Sequence, residues 1–268
     1  MDHELLFDET EWATAQQTVV TAMTAYLKPY RAPVFEDFGG HGDGWGTGSY
    51  IQLGERVFIL TNEHVARARQ SGRKLIHQFA DQEMLLPIVG DHFAVGVPRD
   101  LALMPVDAAA WAEPSNGSRA ITADQIAWAH APVIGELLTF VGFAGANVAF
   151  HFGTLTSKAT CYTAREAALP PDDRFSSRFH FGIDYKPDLA TDVIGKEGLP
   201  LPPGLSGSTV WNTCFVEAKA NGVPWTPELA KVTGVVWGWP SDVGCLVATR
   251  AEYLHGLLLG AARTLGNV

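Results

Sequence analysis

Three short segments of the chain carry residue types that together could activate a hydroxyl. Acyl transfer by a side-chain hydroxyl at neutral pH needs a base to take its proton, an acid to hold that base in one tautomer, and donors for the oxyanion. Ile59-Leu-Thr-Asn-Glu-His64-Val65 sets a histidine just after an apolar strand pattern, where its ring can face a cleft while the preceding residues anchor it. Arg99-Asp100-Leu-Ala-Leu103 sets a carboxylate at the start of another apolar strand, a place suited to a partly buried, fixed acid. Pro203-Gly204-Leu205-Ser206-Gly207-Ser208 sets a serine between glycines, where a tight backbone can turn N–H groups toward one point. Taken singly, each segment also fits a structural histidine, a plain strand start or an ordinary turn. Their conjunction points to His64 as base, Asp100 as its orienting acid and Ser206 as nucleophile.

Such groups need a scaffold. The 268 residues include 27 Gly and 16 Pro with only 18% charged residues, which favours short strands joined by tight turns over long helices. Residues 9–28 read as an amphipathic helix: Asp8 and Glu11 could cap it, Trp12, Val19, Met23 and Tyr26/Leu27 fall at helical spacing, and Pro29 stops it. It is expected to lie as a lid on the main body. The run Gly39 to Gly48 lacks a phosphate-loop pattern and is followed by the strand-like Ser49-Tyr-Ile-Gln-Leu53, so it reads as a flexible lead-in to the first strand. Strands are expected at 47–53, 56–60, 74–79, 84–89 and 101–106, then at 137–142, 149–157, 178–185, 208–212, 232–237 and 245–249. A short helix at 251–265 closes the chain. The implied organisation is a helix and Gly-rich segment over 1–44, a first β unit over 45–108, a connector over 109–132, and a second β unit with the C-terminal helix over 133–268.

Composition removes several function classes. A formal net charge of -10, with no run of Lys or Arg, argues against nucleic-acid binding. The N-terminal residues lack the basic and apolar regions of a secretory signal, and no stretch reaches the length of a membrane span. The three cysteines, Cys161, Cys214 and Cys245, cannot pair completely, so they read as small core residues of a cytoplasmic protein. His77, His92, His151 and His180 lack the paired spacing of metal ligands, and no metal or other cofactor is expected.

Thr61-Asn-Glu-His64-Val, Asp100-Leu-Ala-Leu and Gly204-Leu-Ser206-Gly-Ser, in that order, resemble the three signature segments of trypsin-like serine peptidases of the chymotrypsin fold. The similarity is strongest to bacterial members of the high-temperature-requirement type, without an appended peptide-binding domain. Gly46-Thr-Gly48, Gly142-Phe-Ala-Gly145, Val232-Thr-Gly-Val-Val236 and Gly244-Cys-Leu-Val-Ala-Thr249 agree with it, and the resemblance spans roughly residues 45 to 260. It implies a mostly β fold of two antiparallel six-stranded β-barrels, His64 and Asp100 coming from the first and Ser206 from the second. It also implies an endopeptidase acting on polypeptides, with the Gly204 and Ser206 N–H groups as oxyanion hole. The substrate strand would be Val236, Trp237 and Gly238. The chain order His, Asp, Ser argues against an α/β-hydrolase.

The sequence departs from the family at three places near the nucleophile. Leu205 stands where secreted trypsins carry an aspartate that pairs with a new N-terminus, Ser208 replaces a commoner glycine, and Thr209 a frequent proline. The oxyanion loop must therefore be ordered otherwise, by the N-terminal helix or by a regulatory protein partner. The segment Gly198 to Pro203 holds no acid, which implies an uncharged residue in the first side-chain pocket; Trp237 and Trp239 either narrow that pocket or pack the second barrel, and Glu197 and Asp242 are the acids that could reach it. The alternative function is a catalytically latent or inactive peptide-binding module on the same fold.

Overall fold

The computed structural model describes residues 9–39, 42–151, 154–186, 199–240 and 244–266; Asp8, Glu197, Asp242 and the side chain of His151 lie outside them. Seven strands form the first sheet: β1 (Arg31–Asp37), β2 (Gly42–Leu53), β3 (Arg56–Thr61), β4 (Lys74–Gln78), β5 (Leu85–Pro87), β6 (Phe93–Val95) and β7 (Leu101–Pro105), in the order β5-β4-β1-β2-β3-β7-β6. The second sheet draws on β8 (Leu138–Gly142), β11 (Thr160–Ala164), β12 (Glu166–Ala167), β13 (His180–Asp184), β14 (Thr209–Asn212), β15 (Lys231–Gly238) and β16 (Cys245–Arg250), in the order β11-β8-β14-β15-β16-β13-β12. A hairpin of β9 (Val148–His151) and β10 (Thr154–Ser157) pairs with itself. Every strand pairing is antiparallel.

The central strands read as unbroken apolar runs because each serves two cores. Along β3, Phe58 and Leu60 face a core shared by both sheets, while Ile59 points into the first sheet's own interior. On β7, Leu101 and Leu103 join the shared core and Ala102 and Met104 the inner one. Likewise Val232 and Val235 of β15 enter the shared core, while Val236 enters the second sheet's interior. The two-residue period thus sends alternate side chains of β3 and β7 to different apolar destinations, while on β15 a bulge at Thr233 shifts the alternation by one residue. Each fully buried Val, Leu or Ile contributes about 1.5–3 kcal/mol.

Among the described residues, five α-helices complete the fold: α1 (Glu9–Leu27), α2 (Glu63–Ala66), α3 (Ala108–Trp111), α4 (Phe215–Ala220) and α5 (Glu252–Thr264). The stripe Val19, Met23 and Leu27 of α1 is buried in the shared core beside Trp211, so α1 is a structural member rather than a lid. α5 enters the same core through Leu254, Leu257 and Ala261. The connector spans both sheets, bridging Ile51 to Ile121 and Ile126 to Val232. No described helix is long and apolar enough to cross a membrane.

The six-stranded barrels implied by the resemblance are corrected to two seven-stranded sheets whose strand orders do not close into rings among the described residues. Four strands lie outside those expected, β1, β6, β11 and β12, and all but the five-residue β11 are short or unusual. β12 has two residues and β6 three, lengths with no legible alternation, and β1 contains Pro33. Pro33 is tolerated because β4 pairs with β1 only from Val34 onward, so its missing N–H faces no neighbour on that side. From Gly42 onward the Gly-rich run is no flexible lead-in but the first half of β2. A Cβ at Gly48 would stand 2.4 Å from Ile59 Cγ2 and 2.8 Å from Leu60 O, so glycine there permits the close approach of β2 to β3.

Candidate active site

His64 and Asp100 meet at the ends of β3 and β7. Thr61 of β3 pairs with Ala102 of β7, which brings the residues just beyond into register. The chain leaves β3 through Asn62 into the single turn of α2, whose first N–H groups have no helical partner. Asp100 supplies one: its Oδ1 accepts from the His64 backbone N–H at 2.9 Å, and its Oδ2 lies 2.6 Å from His64 Nδ1. With the carboxylate on Nδ1, that nitrogen carries the proton and Nε2 is left as an acceptor. The Asp100 side chain is 3% exposed and that of His64 40%, so a buried acid holds a ring whose far side meets solvent. Asp100 adopts φ 47°, a left-handed conformation that aspartate tolerates better than most residues, and its carbonyl accepts from Asn62 Nδ2 at 2.8 Å.

Ser206 sits on the loop between the undescribed segment and β14, and Thr47 of β2 fastens that loop to the first sheet. The Thr47 N–H donates to Ser206 O at 2.8 Å, its hydroxyl donates to Gly204 O at 2.8 Å and accepts from Phe143 N–H at 2.8 Å, and its carbonyl accepts from Thr61 Oγ1 at 2.7 Å. Gly145 N–H holds Pro203 O at 2.9 Å, and Leu205 N–H closes a turn on Pro202 O at 2.9 Å. Leu205 itself is wholly buried among Leu138, Phe140, Val210 and Val236. That apolar anchor occupies the position where the resemblance leads one to look for an ion pair. The described contacts that order the loop come from the sheets, not from α1.

Two glycines shape this loop. Gly204 has φ 97° and Gly207 φ 91°; a Cβ at Gly207 would stand 1.9 Å from Thr47 O. The resulting turn leaves the N–H groups of Gly204 and Ser206 without a hydrogen-bond partner among the described residues. Ser206 is half-buried, and its hydroxyl makes no hydrogen bond to His64. The structure therefore joins His64 to Asp100 directly and brings Ser206 to the first sheet through Thr47, with the serine–histidine hydrogen bond not formed.

Beside His64 opens a cleft of about 460 Å³. Glu63, Val97, Arg174, Phe175, Trp237 and Trp239 are among its walls. Of the expected substrate strand, Trp237 and Gly238 line it, whereas Val236 is buried and uses both backbone groups on the serine loop: it accepts from Gly207 N–H at 2.9 Å and donates to Ser208 O at 2.8 Å. Ser206 and Gly204 do not line this cleft. Arg174 is held bidentately by Asp172, and Arg67 lies 3.6 Å from Glu63, so both cations at the rim are paired. The sequence reading missed Phe175 and Arg174, which lie in the turn ahead of the strand expected at 178–185, and Val97, which sits in a loop; nothing local marks them. Thr47 and Asn62 lay inside quoted motif segments without an assigned role.

Burial withdraws the cysteines from thiolate chemistry. Burial pushes the Cys161 thiol up to about 11 and the Cys214 thiol up to about 12, and raises that of Cys245, so none offers a ready thiolate. Among the described residues no group of three His, Cys, Asp or Glu side chains could hold a metal ion.

Two packed antiparallel sheets, with a buried aspartate on the histidine of a cleft and a glycine-flanked serine nearby, define the class of fold seen in serine proteases. The chain resembles the serine endoprotease from Yersinia pestis at a TM-score of 0.54 and 13% identity, covering 91% of this chain and 66% of that one, just under two thirds of its length. A protease from M. tuberculosis in its active form is 18% identical over 90% of this chain and 85% of its own, with a TM-score of 0.48. The serine protease domain of the Sesbania mosaic virus polyprotein is 12% identical over 85% of this chain and 91% of its own, with a TM-score of 0.44. No family model matches the sequence, and no curated protein does.

Proposed function

We propose that the protein is a serine endopeptidase that hydrolyses peptide bonds through an acyl-enzyme on Ser206. The observation that carries the reading is the His64–Asp100 bond of 2.6 Å beside a loop whose Gly204 and Ser206 N–H groups have no described partner. His64 Nε2, left as an acceptor, takes the Ser206 proton as Oγ attacks the scissile carbonyl carbon. The oxyanion that forms receives the Gly204 and Ser206 N–H groups, each such donor contributing about 3 kcal/mol. Collapse breaks the C–N bond, and His64 returns its proton to the leaving amine. Water then attacks the ester with His64 again as base, regenerating Ser206. Asp100 keeps the imidazole in one tautomer and stabilises it while charged. An open serine–histidine contact is compatible with this, because such bonds often tighten only around substrate.

Phe175 and Trp237 give the cleft an apolar lining, and its rim cations are paired, which supports polypeptide substrates with uncharged residues before the scissile bond. Affinity to the high-temperature-requirement type and a cytoplasmic setting belong to the same proposal and rest on the motif segments and composition alone. The test is labelling by a fluorophosphonate probe with peptide mapping of the adduct. Labelling is expected on Ser206, lost in Ser206→Ala and at least about 10³-fold slower in His64→Ala. Labelling that persists in Ser206→Ala overturns the assignment. A second reading, a latent peptide-binding module, is favoured by the missing Ser206–His64 hydrogen bond; peptide binding without labelling would select it.

A further inference from the structure

The loop that presents Asp100 is held from outside. Gly96, Val97, Pro98 and Arg99 are all exposed, and the loop's own bonds are the Arg99 and Asp100 N–H groups on Gly96 O, at 3.2 and 3.3 Å. Its carbonyls reach instead to the second sheet. Pro98 O lies 2.6 Å from His180 Nε2, and Arg99 O accepts from the Thr249 hydroxyl at 2.8 Å. His180 and Thr249 are register partners on β13 and β16, so the two grips stand side by side.

The protonation of His180 follows from its neighbours. The Ser176 backbone N–H donates to His180 Nδ1 at 3.2 Å, so Nδ1 is bare and Nε2 carries the proton that Pro98 O accepts. Burial lowers the affinity of this ring for a second proton, against opposing contributions from Pro98 O and Asp100. The ring also stacks on Trp237, with centroids 5.2 Å apart and planes at 28°, and Phe175 stands edge-on to both. Val97, Phe175 and Trp237 all line the cleft.

We propose that His180 is a positioning residue of the active site. Its Nε2–H fixes the Pro98–Asp100 loop against the second sheet and so keeps Asp100 on His64, while its ring backs the Trp237 wall of the cleft. It touches no reacting atom. One side chain thereby ties the first sheet's acid to the second sheet's substrate wall, and its two functions are chemically separable: the donor serves the rate, the ring serves the cleft. The activity part rests on the serine-peptidase reading; the effect on the His64–Asp100 bond does not.

The experiment compares wild type, H180F, which keeps an aromatic ring without the donor, and H180Q, which supplies an amide N–H at similar reach without the ring. Three quantities are read: the rate of Ser206 labelling, kcat and KM on an uncharged peptide, and the downfield proton resonance of His64 Nδ1, assigned by its absence in H64A. H180F is expected to slow labelling and kcat by on the order of 10- to 100-fold, as small misplacements of catalytic groups do, and to weaken the His64 resonance. H180Q is expected to recover kcat and the resonance to within about 3-fold of wild type while raising KM, since a hydrogen bond is restored and a ring contact is not. Labelling of H180F within about 2-fold of wild type, with an unaltered resonance, overturns the proposal, and so does H180Q no better than H180F. If H180F does not fold, T249V removes only the neighbouring hydroxyl bond and must shift labelling in the same direction; no change overturns the proposal. Failure of the peptidase reading looks different: wild type is then unlabelled at Ser206, and the resonance alone decides, its loss in H180F and return in H180Q supporting the proposal and its persistence in H180F overturning it.

Discussion

At the scale of single residues, Thr47 concentrates more of the site's geometry than any residue assigned a chemical step. Its hydroxyl sits between Phe143 N–H and Gly204 O, its N–H holds Ser206 O, and its carbonyl accepts from Thr61. Thr47→Val keeps the shape and removes only the hydroxyl, leaving the buried Phe143 N–H unpaired and Gly204 O untethered. The Gly204–Leu205 peptide, which lies between the two oxyanion donors, can then rotate and shift them. We expect kcat to fall about 10- to 100-fold with KM little changed, and Thr47→Ser to restore most of it, measured by steady-state peptide hydrolysis. An equal loss in both variants would mean that the hydroxyl does not act alone, the methyl that serine lacks mattering as much. Thr47 was legible in the sequence only as part of Gly46-Thr-Gly48, because its partners lie up to 157 positions away along the chain. His64, Asp100 and Ser206 could be named because each stands at a strand end or in a glycine turn, features that a local pattern records.

At the scale of elements, the serine loop is set by burial rather than by charge. Leu205 is fully enclosed by residues of β8, β14, β15 and β16, with Leu138, Phe140, Val210, Val236 and Leu246 in its cluster. Leu205→Ala should cost about 2–5 kcal/mol in urea unfolding, the range for a leucine removed from a tight core. It should also slow Ser206 labelling, because the Pro202–Leu205 turn loses its anchor; unchanged labelling beside lost stability would separate the loop's order from its packing. The same contrast decides which elements could be read beforehand. Strands with apolar runs, such as β3, β7 and β15, announce themselves, and α1 and α5 show helical spacing. β1 hid behind Pro33, and β6 and β12 behind their brevity. The Gly run was misread because glycine for close approach and glycine for flexibility look alike in a sequence; only the facing Ile59 and Leu60 of β3 tell them apart. The stretch read as one strand over 149–157 is a hairpin, a difference that alternation alone does not encode.

At the scale of the whole molecule, folding encloses histidines in places where a proton is unwelcome, and this fixes the direction of the acid response. His77 is fully buried in the first sheet's aromatic nest. Its Nδ1 lies 2.9 Å from Tyr50 Oη, which itself donates to Gln78 O at 3.0 Å, and its Nε2 has no partner. Tyr50, Phe79 and Trp111 surround the site and carry no charge at neutral pH. Burial alone lowers the His77 pKa from 6.5 to about 4. The unfolded chain therefore takes up its proton first as pH falls. His77 leaves stability intact above about pH 6.5 and removes it progressively down to about pH 4, with a slope approaching 1.4 kcal/mol per pH unit for one proton. His92 and His180, also lowered by burial, add to the loss in the same direction. Urea unfolding at a series of pH values between 7.5 and 4 should show a slope shallower by nearly one proton in His77→Gln than in wild type. Parallel slopes would mean that the His77 ring takes its proton without opening the fold. Protonation of His180 at Nδ1 expels the Ser176 N–H and tilts the ring while Nε2–H goes on donating to Pro98 O. Activity should therefore fall with acid through lost orientation of the ring before the grip itself is lost. Loss of fold and loss of Asp100 positioning then separate in H180Q, which keeps the donor and cannot titrate.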